Sequence, residues 1–318
     1  MSFTEELKGY TLGAVDYLKN RDRKDAVRLC MAMQVKDEAD IIELNIRYHA
    51  ARGCEAFFIM DNGSTDGTKE IIKKLSDEFQ IYIYNDNSLA YNQSKNMTWL
   101  TYEANKKGFD WVVENDADEF WLSSTKNLSD NLDFRKGVLR VERVNVLPID
   151  QGGVVEWLRS PWHTDNTLHF DLRAKFDGLN RNFLFAPVLH KVMVNAHGLI
   201  GVSGGNHGAR HVIDKVNRRK YTEYNTNVKI FHFALRSFER FELRVKNIRS
   251  SIKYAKNKST KHNFGPQAVY WSQAYDAGKL EEVYQHMLLT TDCLDCYQKL
   301  ALIKQDDSFI KDLDLLGL

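Results

Sequence analysis

The chain has 318 residues, 43% hydrophobic and 27% charged, and a formal net charge of +1. That length admits one large domain or a domain with an appendage, and the near-zero charge balance offers no global field for nucleic acid. No run approaches the ~18 apolar residues of a membrane span, and Met1 to Arg28 is charged throughout without the apolar centre of a leader peptide, so a cytoplasmic protein is expected.

A helical arm is expected over residues 4–20, with Leu7, Leu12, Val15 and Leu18 as its apolar positions. The run Val27 to Gln34 reads as the first strand and is followed by the loop Val35-Lys36-Asp37-Glu38. Ala39 to Arg52 carries a helical stripe, closed by Gly53. Ala56 to Met60 is the second strand and runs into Asp61-Asn62-Gly63-Ser64-Thr65-Asp66-Gly67-Thr68, where Asp66 can cap the next helix. Ile81 to Tyr84, a helix over Gln93 to Lys107 and a strand over Asp110 to Glu114 complete the alternation. Strands alternating with helices imply a parallel sheet with right-handed crossovers in a three-layer α/β/α sandwich. The loops 35–38, 61–67 and 115–119 then share the carboxyl edge, where open sheets bind ligands.

The fourth strand ends in Asn115-Asp116-Ala117-Asp118-Glu119. Two carboxylates one residue apart suit a hard divalent cation, and that cation suits a diphosphate. The bland alternative is a loop or a helix cap, and a helix start is an equal reading for Glu119. From Gly137 onward, strands are expected at 138–147, 168–176, 188–194 and 228–235, joined by Gly-, His- and aromatic-rich loops. This half reads as a mixed-sheet extension holding an acceptor cleft. Ser237 to Asn257 and Phe264 to Leu289 read as helices, with a short tail after them. The organisation expected is therefore an arm (1–26), a nucleotide-binding half (27–122), an acceptor half of the same domain (123–235) and C-terminal helices (236–318).

Further ligands can be sought along the chain. His232, at the end of an apolar run, could reach the carboxylate edge, and His207 in Gly-Gly-Asn-His-Gly is its rival. A hydrogen-bonded core histidine is an equal reading for His232. Arg236 and Lys246 could neutralise diphosphate oxygens. One of Asp150, Glu156, Asp165 and Asp171 is expected as the base that activates an acceptor hydroxyl, and the residues alone do not choose among them. Residues 236–261 hold nine Lys/Arg against two acidic residues. A solvated helix face is the default reading there, and contact with anionic lipid head groups is the sharper one. Cys293 and Cys296 have C-x-x-C spacing without a second ligand pair nearby, so a structural role is expected.

The segments VKDEADIIEL, FFIMDNGSTDGT, WVVENDADEFW and IFHFALRSFERFELRVKN resemble family 2-type glycosyltransferases of the GT-A fold, in particular a bacterial branch resembling galactan-synthase-like enzymes. Residues 27–122 carry most of the likeness. Asn62 stands where the family loop has a second Asp, and Asp37-Glu38 stand for its Asn-Glu pair. The resemblance implies a nucleotide-sugar donor, usually a UDP-sugar, held with Mn²⁺ or Mg²⁺, and a carbohydrate or glycolipid acceptor. Val35, Glu38, Asp61 and Ser64 would lie against the base and ribose, Gln93 and Lys95 near the diphosphate, and Asp116 and Asp118 beside the ribose and metal, with a distant histidine as third metal ligand, His232 or its rival His207. Two other classes compete. A nucleotidyltransferase would carry a glycine-rich phosphate loop after the first strand, absent here, and a non-catalytic binder would have no need of the carboxylates.

Overall fold

The computed structural model describes residues 3–88, 92–130, 132–165, 183–185, 188–213, 222–257 and 266–318. Helix α1 (Phe3–Asn20) leads into β1 (Leu29–Val35), α2 (Ile42–Ala51), β2 (Ala56–Asp61), α3 (Thr68–Leu75), β3 (Ile81–Asn85), α4 (Gln93–Lys106) and β4 (Trp111–Asn115). The second half contains β5 (Glu119–Ser123), β6 (Val138–Asn145), β7 (Ile149–Asp150), β8 (Val155–Glu156), β9 (Trp162–Thr164), β10 (Lys191–Asn195), β11 (Leu199–Val202), β12 (Ala209–His211) and β13 (Thr222–His232). It ends in α5 (Phe238–Asn257), α6 (Pro266–Asp276), α7 (Leu280–Gln285), β14 (Leu289–Thr290), α8 (Thr291–Lys299), β15 (Ile303–Gln305) and α9 (Ser308–Leu316).

One eight-stranded sheet runs β3-β2-β1-β4-β10-β6-β13-β5 across both halves. The pairs β1–β2, β2–β3, β1–β4 and β6–β13 are parallel, whereas β10 and β5 run against their neighbours. Six strands therefore point one way, as the expected mostly parallel GT-A type sheet requires. Their carboxyl ends, together with the amino ends of β5 and β10, form a single edge.

Alternation along β1 divides the core. Leu29, Met31, Met33 and Val35 pack with α2, α3 and α9, while Cys30 and Ala32 pack with Met97, Leu100 and Ala104 of α4. Both faces of the parallel strands are covered, which is why those strands read as unbroken apolar runs. A satellite core under α5–α8 gathers Leu147, Ile149, Phe241, Trp271 and Tyr284.

Several expectations are corrected. Leu12, Val15 and Leu18 are 63%, 46% and 57% exposed, because α1 packs instead through Tyr17 against Val212 and Ile213. Glu119 starts no helix. It is a buried residue opening β5, opposite His232 in the ladder. The helix expected over 264–289 breaks into α6 and α7 at Gly278, whose φ of +69° lies in the left-handed region. Strand β13 starts six residues earlier than expected, and the strand expected at 168–176 lies outside the described residues.

Candidate active site

The turn after β4 is built from beneath. Asn45 and His49, one helical turn apart on the buried face of α2, replace apolar packing with hydrogen bonds. Asn45 Nδ2 donates to the carbonyls of Ala117 and Glu119 at 2.8 and 2.9 Å. Asn115 Nδ2 donates to Asn45 Oδ1 at 3.2 Å, and Trp121 Nε1 donates to Asn115 Oδ1 at 2.7 Å. His49 accepts the Trp121 N–H on Nε2 at 3.1 Å, and its burial drives its pKa down to about 3, so the ring is neutral. This lattice fixes the backbone that carries Asp116 and Asp118.

Asp116 is 31% exposed and held on three sides. Its Oδ1 accepts from Gln93 Nε2 at 3.2 Å and Asn206 Nδ2 at 3.1 Å, and its Oδ2 accepts from Lys191 Nζ at 2.5 Å. Asn206 reaches it because Gly205, at φ +70°, turns the chain where a Cβ would lie 2.5 Å from the His207 ring. Gly205 N–H in turn donates to Gln93 Oε1 at 2.9 Å. Lys191 is fully buried and also lies 3.3 Å from Glu119 Oε1, which takes Arg143 Nη1 at 2.6 Å.

Asp118 faces His232, with Nε2 3.6 Å from Oδ2. His232 Nδ1 donates to Asn145 Oδ1 at 2.7 Å, which orients the ring so that Nε2 faces the carboxylate. Burial pushes the Asp118 carboxyl up, but His232, Arg236 and Arg244 outweigh it and hold it well below the usual range, so it is ionised. An oxygen and an imidazole nitrogen facing each other in this way are a chemically suitable pair for Mn²⁺ or Mg²⁺. Among the described residues, no three His, Cys, Asp or Glu side chains cluster as a metal set.

The first two strand-end loops are stitched together. Asp37 N–H donates to Ser64 Oγ at 2.9 Å, Thr65 N–H to Asp37 Oδ1 at 2.7 Å, and Ala39 N–H to Asp66 Oδ2 at 3.1 Å. Asp66 also receives the Thr68 N–H at 3.1 Å, at the start of α3. Asp61, fully buried, accepts from the Gly63 and Ser64 amides and pairs with Lys69 at 3.1 Å. With its amide oriented so that nitrogen rather than oxygen faces the loop after β3, the orientation that satisfies both atoms, Asn62 donates to the Asp86 and Ser88 carbonyls at 2.5 and 3.1 Å. A carboxylate at this position could accept but not donate, which is a physical reason for Asn here. Val35 is buried at the end of β1.

Arg236 is 6% exposed and joins Glu38 at 2.6 Å and Asp40 at 2.8 Å, while Arg240 reaches the same two carboxylates at 2.9 and 3.3 Å. Lys246 pairs with Glu242 at 2.8 Å, and Arg249 with Asp276. Arg236, Arg240, Lys246 and Arg249 thus each meet a carboxylate. Among the described residues no helix is long and apolar enough to cross a membrane.

His207 stands on the far side of Asp116 from His232. Its Nδ1 lies 3.0 Å from the His190 carbonyl, and burial, with Lys191 and Arg143 nearby, lowers its pKa to about 4. Of the acceptor-side carboxylates, Asp150 takes the Gly153 N–H at 2.7 Å, Glu156 takes the Arg159 N–H at 2.8 Å, and Asp165 pairs with Lys304 at 2.8 Å. Asp171 lies outside the described residues. Lys95 is exposed and lines a groove of about 1410 Å³ beside α4 and β11. No motif or spacing in the sequence singles out Lys191, Arg143, Asn45 or His49. The signal available was a polar residue inside an otherwise apolar run or stripe.

No protein-family model matches the chain. Over 123 residues, 35% of its length, it is 29% identical to a glycosyltransferase family 92 protein of Arabidopsis thaliana, and the match spans 19% of that protein. Among solved structures, it is similar to the 1–349 fragment of S. aureus TarS in complex with UDP-GlcNAc, at 12% identity and TM-score 0.40, over 82% of this chain and 72% of that one. It is also similar to glucosyl-3-phosphoglycerate synthase from Mycobacterium tuberculosis in complex with Mn²⁺, UDP-glucose and phosphoglyceric acid, at 11% identity and TM-score 0.35, over 80% and 85% of the two chains.

Proposed function

We propose that this chain is a metal-dependent glycosyltransferase, moving a sugar with inversion from a nucleoside-diphosphate donor, a UDP-sugar above all, to a glycan, lipid-linked or surface-polysaccharide hydroxyl. The observation that carries the reading is the ionised Asp118 facing His232 Nε2 across 3.6 Å at the carboxyl edge of the sheet, beside Asp116. The stretch at 29% identity to a family 92 glycosyltransferase supports the class. The motifs DNGSTDGT and ENDADEF favour the galactan-synthase-like branch.

Asp118 and His232 would hold Mn²⁺ or Mg²⁺, and the ion when bound supplies Lewis-acid stabilisation of the charge growing on the departing diphosphate. The chain's own residues do the rest. Asn145 fixes the tautomer and tilt of His232. Glu38 and Asp61 shape the two loops that would wall the base and ribose, with Val35 and Ser64 beneath them. Gln93 orients Asp116, and Lys95, two residues further along the helix, is an exposed cation. Arg236, Arg240 and Arg244 form a cationic wall near Asp118. Among the acceptor-side carboxylates we assign the base to Asp150, which follows the end of β6 where Asn145 meets His232.

The test is thermal shift and calorimetry with UDP, GDP and CDP, with and without Mn²⁺. One nucleotide is expected to bind in a Mn²⁺-dependent way, and Asp118→Asn is expected to abolish that dependence in a folded protein. Asp150→Asn is expected to slow transfer with nucleotide binding intact. Indifference to all three nucleotides in the presence of Mn²⁺ would sink the reading.

A further inference from the structure

We infer that Lys191 is a positioning residue of the donor site: a buried ammonium that fixes Asp116 as the acceptor for one donor hydroxyl and leaves the divalent ion to Asp118 and His232. The inference rests on the glycosyltransferase reading and divides the labour of its two carboxylates.

Lys191 opens β10, the antiparallel neighbour of β4, where the register Met193↔Val113 carries it opposite Asn115. Its side chain is fully buried, a position an ammonium occupies only when paired. Its partners are Asp116 Oδ2 at 2.5 Å and Glu119 Oε1 at 3.3 Å. Burial works to lower its pKa, and the two carboxylates outweigh that and raise it, so the charge persists. With Arg143 on Glu119, the cluster holds two cations and two carboxylates and is neutral as a unit. Without Lys191, one guanidinium would face two carboxylates, and Glu119 Oε2 is already buried without a partner.

The acceptor count decides what Asp116 can do. An ionised carboxylate offers about four lone-pair positions. Gln93 and Asn206 fill the two on Oδ1 and Lys191 fills one on Oδ2, leaving one position on a side chain still 31% exposed. A hydroxyl donor fits that remaining position. A divalent ion there would share one carboxylate with an ammonium, and like charges so close repel strongly in a half-buried site. Asp118 instead faces His232 Nε2, while the Lys191 ammonium is engaged by Asp116 and Glu119.

The experiment is calorimetry on the full chain with Mn²⁺ and whichever of UDP, GDP and CDP the wild type binds. Four proteins are compared: wild type, Lys191→Met, Asp116→Asn and the double variant. Electron paramagnetic resonance of Mn²⁺ in the ternary complex is recorded beside it. Lys191→Met and Asp116→Asn are each expected to weaken nucleotide binding by about tenfold, the lower end for losing one hydrogen bond from the donor to a charged group, with bound Mn²⁺ retained. The double variant is expected to bind no worse than Asp116→Asn, because Lys191 acts through Asp116 alone. It also removes one charge of each sign, so it is the variant expected to fold if Lys191→Met does not, and its comparison with Asp116→Asn still carries the test. Wild-type affinity in Lys191→Met, a further tenfold loss in the double variant, or loss of Mn²⁺ in Asp116→Asn would each overturn the inference. A wild type that binds none of the three nucleotides overturns the glycosyltransferase reading first, and this inference with it.

Discussion

His197 gives a pH dependence that can be worked through. It follows β10 and lies between Asp16 of α1 and Asp110 before β4, with its Nδ1 and Nε2 each 3.0 Å from a carboxylate. Arg23 reaches the same Asp110 at 2.7 Å. Burial works to lower the His197 pKa, but the hydrogen bonds its ring donates to Asp110 and Asp16 outweigh it and raise the pKa from 6.5 to about 9. A group raised in the folded state stabilises fully below its unfolded pKa, and that contribution is lost as pH climbs through the folded value. The window is therefore pH 6.5 to 9. At about 1.4 kcal/mol per unit the ceiling is roughly 3 kcal/mol. Asp16 is 38% exposed and its share is screened, so a working figure is about 2 kcal/mol. Urea midpoints at pH 6, 7, 8 and 9.5 are measured for wild type and His197→Gln. The wild type should lose about 2 kcal/mol more than the variant across the window, and the two should converge at the alkaline end. Subtracting the variant also removes the contribution of Glu114, which burial raises to about 8. Parallel profiles would refute the assignment of a charged His197 to this clamp.

Three other outcomes are expected. Asp312→Ala strips the partner from Arg52 and Tyr48, leaving a nearly buried guanidinium uncompensated, and should cost about 3 kcal/mol in urea unfolding. Gly198→Ala puts a Cβ 2.6 Å from Val212 Cγ2 at a φ of +95°, and should lower stability by about 2 kcal/mol in a thermal melt while leaving the sheet edge intact. Asn62→Asp loses both donated bonds to the loop after β3 and should cost about 1–2 kcal/mol, together with faster amide exchange at the loop's N–H groups; unchanged exchange would remove Asn62 as the tie between the loops.

The β-α alternation through residue 120 was legible because each buried strand is an unbroken apolar run and each loop is rich in turn formers. Asp116 and Asp118 could be placed at a strand end for the same reason. What failed to show were partners made by distant backbone. Lys191 meets Asp116 only because β10 inserts antiparallel beside β4, a pairing across about 75 positions that no local period encodes. Asn45 and His49 interrupt a stripe whose apolar members were enough to suggest a helix, so their polarity looked incidental. For Glu119 a helix start is one of two equal readings, because acidic residues favour first turns of helices. Its burial beside Lys191 and Arg143 instead suits the opening of a strand. In α1 the apolar residues were visible, but which face docks depends on Val212 and Ile213, about 200 residues away.

Phe309 of α9 touches the rings of Tyr48, Phe120, Phe231 and Phe233 at centroid separations between 5.1 and 5.5 Å. Phe120 lies two residues from Asp118, and Phe231 and Phe233 flank His232. During synthesis Phe120 of that aromatic wall waits, uncovered by Phe309, while some 190 further residues are made, roughly 10–40 seconds at typical elongation rates of about 5–20 residues per second. The high sequence separation of these contacts places closure of the wall late in folding. A nascent chain that has already paired its sheet would still present a greasy surface directly under the Asp118–His232 pair, and that surface is where a folding helper would find its grip.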